Sequence, residues 1–120
     1  MIGLVSLNYK IAPLKIREHF YLFPDEISKI HALINKKVKT KGFFVISTCN
    51  RTEIYFEVNS KKLNESQVFH SIIMSLSRFK KFNDGLRPYI KKKTGIEKIS
   101  KHIFRPVSYT HLTLPTKRIV

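Results

Sequence analysis

The chain has 120 residues, which is enough for one domain with a modest hydrophobic core. Its formal net charge of +15 favours an acidic or polyanionic partner, and its single cysteine excludes an internal disulfide. No apolar run approaches membrane-spanning length, and the four glycines form no glycine-rich strand-to-helix fingerprint for a dinucleotide.

The first third of the chain predicts a strand followed by a helix. An apolar segment at about residues 2–8 predicts a strand that breaks before Ala12-Pro13. The residues Pro24, Asp25 and Glu26 suit the first turn of a helix. Apolar residues then recur at helical spacing up to about Val38, at Ile27, Ile30, Ile34 and Val38.

A polar septet, Ser47-Thr48-Cys49-Asn50-Arg51-Thr52-Glu53, lies between an apolar and an alternating segment, both predicted to be strands. A turn there presents the Cys49 thiol to a ligand, and the adjacent Arg51 favours the thiolate, which is the nucleophilic form. The alternative is a small buried cysteine. Burying the polar side chains of Thr48, Asn50 and Arg51 without partners would cost about 1–3 kcal/mol each, which disfavours that alternative.

The second half of the chain predicts a helix, an edge strand and a last helix. Asn64 and Gln67 suit a capping pair. A wide apolar helical stripe follows, made of Val68, Phe69, Ile72, Ile73, Leu76 and Phe79. Leu86 to Ile90 is predicted to be a short edge strand, because Pro88 cannot donate to a ladder.

Thr94 with Glu97 is predicted to open the last helix, whose apolar face carries Ile96, Ile99 and Ile103. His102 falls at the margin of that face. The predicted order β-α-β-β-α-β-α is that of an α+β, ferredoxin-like split βαβ sandwich with an added C-terminal helix.

Two stretches of the sequence resemble the glutamyl-tRNA reductase family. The septet around Cys49 is similar to that family's active-site signature, and the motif is specific. Residues 3–18, which read Gly-Leu-Val-Ser-Leu-Asn-Tyr-Lys-Ile-Ala-Pro-Leu-Lys-Ile-Arg-Glu, resemble its amino-terminal signature. Tyr9 and Ile11 replace the commoner His and Thr. The resemblance covers about residues 1–105, and it implies the same ferredoxin-like fold.

The resemblance implies thioester chemistry. Cys49 would attack the ester carbonyl that joins glutamate to tRNA, and NADPH would deliver hydride to give glutamate-1-semialdehyde, the first step of tetrapyrrole (porphyrin) biosynthesis by the C5 pathway. Arg51 would pair with a substrate carboxylate, while Thr48 and Asn50 would orient the aminoacyl group. His102, which matches a histidine in the family, would position the substrate or assist proton transfer.

The resemblance also implies glutamyl-tRNA as substrate, a homodimer for full-length proteins, and glutamate-1-semialdehyde aminomutase as a further partner. We expect residues 1–105 to be the substrate and nucleophile domain, without the NADPH-binding domain. Such a chain would release glutamate by thioester hydrolysis instead of completing hydride transfer. The amino terminus shows no secretory signal pattern, and the lone cysteine fits a reducing cytoplasm.

A different class of function is a small basic RNA-binding module without catalysis. Lysine clusters and the strand carrying Tyr55 and Phe56 favour it, although these two rings alternate between opposite faces of the sheet. The lysines equally suit solvated faces. The other four histidines show no metal-ligand spacing, so we expect no zinc site.

Residues 106–120 do not continue the family pattern. The stretch from Val107 to Thr116 matches the one-frame translation of a transposase sequencing adapter, GTC TCT TAT ACA CAT CTG ACG CTG CCG ACG. We therefore expect an artefactual or disordered tail, which takes no part in the predicted fold.

Overall fold

The computed structural model describes residues 1–59, 64–82 and 85–95. Within them the elements in chain order are β1 (Ile2–Asn8), α1 (Leu14–His19), α2 (Pro24–Asn35), β2 (Thr40–Ser47), β3 (Arg51–Val58), α3 (Glu65–Phe79), a 3-10 turn (Arg87–Tyr89) and β4 (Lys91–Thr94). None of the helices in these ranges is both long and apolar enough to cross a membrane.

The four strands form one sheet in the order β2-β3-β1-β4, and all neighbouring strands are antiparallel. Since β3 lies between β1 and β2, the unit that runs from β1 through α2 to β2 is a split βαβ unit. The prediction of an α+β, split βαβ fold is confirmed.

The hydrophobic core lies between α2, α3 and one face of the sheet. The two helices contribute the apolar positions that their helical spacing predicts. From the helices the buried side chains are Ile27, Ile30, Ile34, Val68, Phe69, Ile72 and Leu76, and from the sheet they include Val5, Leu7, Phe43, Val45, Ile54, Phe56 and Val58. Because β2 and β3 both contribute to this core, the turn that joins them is held at one end of the sheet.

The predicted edge strand at Leu86 to Ile90 is wrong. Arg87–Tyr89 form a 3-10 turn, and the edge strand is the following segment, Lys91–Thr94, which pairs with β1. Pro88 explains the turn, because its fixed φ and missing N–H suit the first turn of a helix. All four residues of β4 are exposed, as suits lysines on a strand with one free edge.

The predicted opening of the last helix at Thr94 is also wrong. Thr94 ends β4, and the next residue, Gly95, has a φ of 74°, which no first helical residue adopts. The rest of that helix, with Glu97 and His102, lies outside the described residues, as does the tail at 106–120.

Candidate functional site

The Cys49 turn joins β2 to β3 at one end of the sheet. The Thr48 N–H donates to the carbonyl of Arg51 at 2.8 Å, which closes the turn. The Thr48 hydroxyl oxygen accepts the N–H groups of Asn50 and Arg51, both at 3.1 Å. Cys49 and Asn50 therefore form the tip, where the free thiol of Cys49 is exposed.

Asn50 is a hydrogen-bond partner of the sulfur. The Cys49 thiol donates to Asn50 Oδ1 at an Sγ to O distance of 3.9 Å. Both side chains are exposed, so a ligand that reaches the sulfur also reaches the Asn50 amide. The arrangement provides a nucleophile and a neutral hydrogen-bonding group side by side.

Arg17 of α1 reaches the Cys49 turn from the other half of the chain. Its Nη1 donates to the backbone carbonyl of Cys49 at 3.2 Å, and its Nε donates to the carbonyl of Ala12 at 3.1 Å. The guanidinium thus brings a positive charge to the turn and ties it to the loop after β1. The sequence-based site did not include Arg17, although Ile16-Arg17-Glu18 in the amino-terminal signature was a signal for it.

Glu53 is the ion partner that the structure gives Arg51. Arg51 Nε lies 3.4 Å from Glu53 Oε1, and the Arg51 side chain is 49% exposed against 12% for Glu53. The other oxygen of Glu53 accepts from the Ser6 hydroxyl at 3.0 Å. The Glu53 carboxylate is therefore held within the sheet. The half-exposed Arg51 guanidinium has further N–H donors that do not contact Glu53.

Tyr55 is the third side chain that binds Glu53, besides Arg51 and Ser6. Its hydroxyl donates to Glu53 Oε1 at 3.1 Å. Burial, the charge of Glu53 and this hydrogen bond raise the pKa of Tyr55 to about 12, and the charge of Arg51 opposes them. Tyr55 is therefore a protonated donor at neutral pH.

Residues 20–23, here called the strap, cross the ends of β2 and β3 beside the Cys49 turn. The Leu22 N–H donates to the Ser47 hydroxyl at 2.8 Å, and the Thr52 hydroxyl donates to the carbonyl of Phe20 at 3.1 Å. The strap places Tyr21 near the thiol. Burial first, and then the charge of Cys49, raise the pKa of Tyr21.

The turn thus brings together four of the five predicted site residues, namely Thr48, Cys49, Asn50 and Arg51, and the fifth, His102, lies outside the described residues. Arg17, Tyr21 and Glu53 join them and were missed. Within the described ranges, no three side chains of His, Cys, Asp or Glu converge in a way that would hold a metal ion.

Comparison with known proteins gives consistent matches. The family model for "Glutamyl-tRNAGlu reductase, N-terminal domain" matches residues 5–108. The chain is 29% identical over 110 residues to a glutamyl-tRNA reductase of Aquifex aeolicus, which covers 89% of this chain and 25% of the relative. It is 32% identical over 105 residues to that of Desulfitobacterium hafniense, covering 87% and 23%. A Limosilactobacillus reuteri glutamyl-tRNA reductase is 44% identical over 55 residues, covering 46% and 13%. The chain spans about a quarter of the length of the first two relatives.

Proposed function

From the premise that the chain belongs to the glutamyl-tRNA reductase amino-terminal domain family, we propose that it binds glutamyl-tRNA and that Cys49 takes up the glutamyl group. The Cys49 sulfur attacks the ester carbonyl, a C–S bond forms, and the ester C–O bond to the tRNA breaks. The departing 3′-terminal ribose oxygen takes a proton. The product is a glutamyl thioester on Cys49, within tetrapyrrole synthesis by the C5 pathway.

The exposed thiol at the tip of the turn is the observation that carries this proposal. An acyl group bound to a tRNA reaches a sulfur only when the sulfur is at the surface, and Cys49 is exposed. The turn is held by the Thr48 hydroxyl and by Arg17, so the sulfur has a defined position. A buried structural cysteine would not need these contacts.

Arg51 supports recognition of the substrate's side-chain carboxylate. Its Nε faces Glu53, and half of the side chain is exposed, which leaves donors for a second carboxylate. Asn50 orients the acyl group near the sulfur. Thr48 contributes through the turn, because its hydroxyl already accepts two backbone N–H groups. A role for His102 in positioning or proton transfer remains a prediction.

NADPH is the hydride donor that the family resemblance implies. The described residues do not fit this cofactor, since the sheet is antiparallel and no glycine-rich turn leads from a strand into a helix within it. We therefore derive no hydride step from this chain. Once formed, the thioester on Cys49 is open to water, and hydrolysis releases glutamate.

The test is to incubate the purified 120-residue chain with glutamyl-tRNA, with and without NADPH, and to follow deacylation. We expect Cys49-dependent deacylation that Cys49→Ser abolishes, and no effect of NADPH. Asn59→Ala, an exposed site just after β3, is the control and should keep the rate. Equal rates in wild type and Cys49→Ser would contradict the nucleophile assignment. Formation of an aldehyde in the presence of NADPH would contradict the proposal that this chain carries out acyl transfer without hydride transfer.

The RNA-binding module without catalysis gains no support from the described sheet. Phe56 is fully buried in the core, and the Tyr55 hydroxyl is held by Glu53. These two residues therefore do not present a pair of stacking rings. Homodimerisation, contact with the aminomutase and a cytoplasmic location stay predictions from the resemblance.

A further inference from the structure

The exposed apolar side chains of the described residues gather around the Cys49 turn. The large ones that are more than a third exposed are Tyr9, Ile11, Leu14 and Phe23. Tyr9 and Ile11 lie in the loop between β1 and α1, and Leu14 is the first residue of α1. Arg17 connects this region to the turn, because it donates to the carbonyls of Ala12 and Cys49. The fourth, Phe23, ends the strap. Of the four, Phe23 belongs to the segment that bonds directly to the strand residues on both sides of the turn.

Phe23 is held through both its ring and its backbone. Its ring lies edge-to-face against Tyr21, with the ring centroids 4.8 Å apart and the planes at 73°. Its N–H donates to Glu26 Oε1 at 2.9 Å, and Lys80 Nζ holds the two oxygens of the same carboxylate at 2.9 and 3.1 Å. With 54% of the residue exposed, Phe23 offers a fixed aromatic surface to solvent.

The strap holds this aromatic pair beside the strand ends that flank the Cys49 turn. Its two hydrogen bonds, from Leu22 to Ser47 and from Thr52 to Phe20, attach it to the strand residues that flank the turn. The effect of the Cys49 charge on the phenol of Tyr21 is consistent with that closeness. Phe23 therefore follows directly on Leu22, whose N–H is bound to Ser47, two residues before Cys49.

We propose that Phe23, supported by Tyr21, stacks the 3′-terminal base of the tRNA whose acyl group is attacked by Cys49. The inference rests on the proposed function. The ester links the reacting carbonyl to the 3′-terminal ribose, and the same ribose carries the terminal base. When the carbonyl is at the Cys49 sulfur, the base must therefore lie close to the turn. Stacking on an aromatic ring is worth roughly 5- to 150-fold in affinity per base.

The test uses an RNA stem-loop that ends in a single-stranded CCA, with 2-aminopurine in place of the terminal adenine and a second dye at the 5′ end. The second dye reports RNA binding, and the fluorescence of 2-aminopurine reports stacking of the terminal base. No acyl transfer is needed. We expect quenching of 2-aminopurine when the RNA binds the wild-type chain.

Phe23→Leu keeps an apolar side chain and removes the aromatic face, so we expect it to abolish the quenching and to weaken binding at least fivefold. Phe23→Tyr should retain both properties. The control is Tyr9→Leu, which removes the other phenylalanine or tyrosine side chain that is more than a third exposed in the described residues, and it should leave the quenching unchanged. Circular dichroism checks that each variant is folded.

RNA that binds with the same quenching in Phe23→Leu as in wild type would overturn the stacking proposal while the proposed function stands. Loss of quenching in Tyr9→Leu but not in Phe23→Leu would overturn it too, since the base would then stack on Tyr9. Failure of the wild-type chain to bind this RNA would also overturn the stacking proposal, while Cys49-dependent deacylation of glutamyl-tRNA decides the proposed function separately.

Discussion

Glu53 connects the reactive turn to the body of the sheet. It is 9% exposed, and its carboxylate is bound by Ser6, Arg51 and Tyr55. A buried carboxylate is stable only when such partners surround it, because an unpaired charge in the interior is costly. The position of the Arg51 guanidinium, on which substrate recognition is proposed to depend, is therefore set by a residue two positions along the strand.

The phenol of Tyr55 reports on this carboxylate. In Glu53→Gln the negative charge that raises the pKa of Tyr55 is removed, so we expect that pKa to fall from about 12 toward its ordinary value of 10.0. Ultraviolet titration of tyrosinate, with Tyr55→Phe to identify the signal, measures the change. Glu57→Gln, on the same strand face, is the control. An unchanged pKa in Glu53→Gln would contradict the assignment.

The raised pKa of Tyr55 also predicts that the free energy of unfolding depends on pH in the alkaline range. The folded-state pKa of Tyr55 is raised, so the unfolded chain loses its phenolic proton first, above pH 10.0. We therefore expect the free energy of unfolding of the wild type to fall relative to Tyr55→Phe as the pH rises from 10.0 toward 12. Denaturant titrations of both chains measure it, and parallel curves would refute the linkage.

At the scale of elements, β1 is a central strand of the sheet, because it pairs with β3 on one side and β4 on the other. Gly3 stands opposite Phe56 in that ladder. A Cβ on Gly3 would lie 2.5 Å from Phe56 Cζ, and the Phe56 ring is fully buried against Phe69. Only a residue without a side chain leaves room for this ring.

Gly3→Ala should therefore destabilise the fold by about 1–3 kcal/mol, the usual cost of overpacking a well-filled core. Gly85→Ala is the matched control, since a Cβ there would meet no heavy atom within 4 Å. Urea unfolding of the two variants checks the difference. Equal midpoints for both would show that the Phe56 ring relaxes without cost.

At the scale of the whole molecule, positive charge is largely unpaired. The chain has 23 lysines and arginines against 8 acidic residues, and within the described ranges two ion pairs are found. A groove between α3 and the segment at 85–92 is lined by Arg78, Arg87 and Lys92, with no acidic side chain among its described lining residues. This charge distribution favours the phosphates of the proposed tRNA partner.

The affinity for tRNA should accordingly fall steeply with salt. We expect the double variant Arg87→Ala with Lys92→Ala to reduce the slope of log affinity against log salt by about 0.7 for each single-strand phosphate that is no longer neutralised. The control, Lys36→Ala with Lys37→Ala, removes the same charge from exposed positions after α2. Filter binding at several salt concentrations measures both. Equal slopes for the two double variants would show that tRNA binding depends on the total positive charge and not on this groove.

Local sequence patterns determined the first three strands, the two long helices and the turn that carries Cys49. The capping pair of α3 is an example, because the Gln67 N–H donates to Asn64 Oδ1 at 2.9 Å and the Asn64 N–H donates to Gln67 Oε1 at 3.0 Å. Such signals act over three or four residues, so they can be read along the chain. The segment with Pro88 is ambiguous along the chain, since a proline suits both an edge strand and a first helical turn.

Only the tertiary structure decided what surrounds the sulfur. Arg17 contacts the Cys49 carbonyl across 32 positions of sequence, and the Glu53 carboxylate meets Ser6 across 47. No local pattern encodes these contacts, because they depend on how α1, the strap and β1 pack against the end of the sheet. A short sequence motif therefore identifies Cys49 as the nucleophile, while the packing of distant segments places the Arg17 charge and the strap's aromatic rings near the turn.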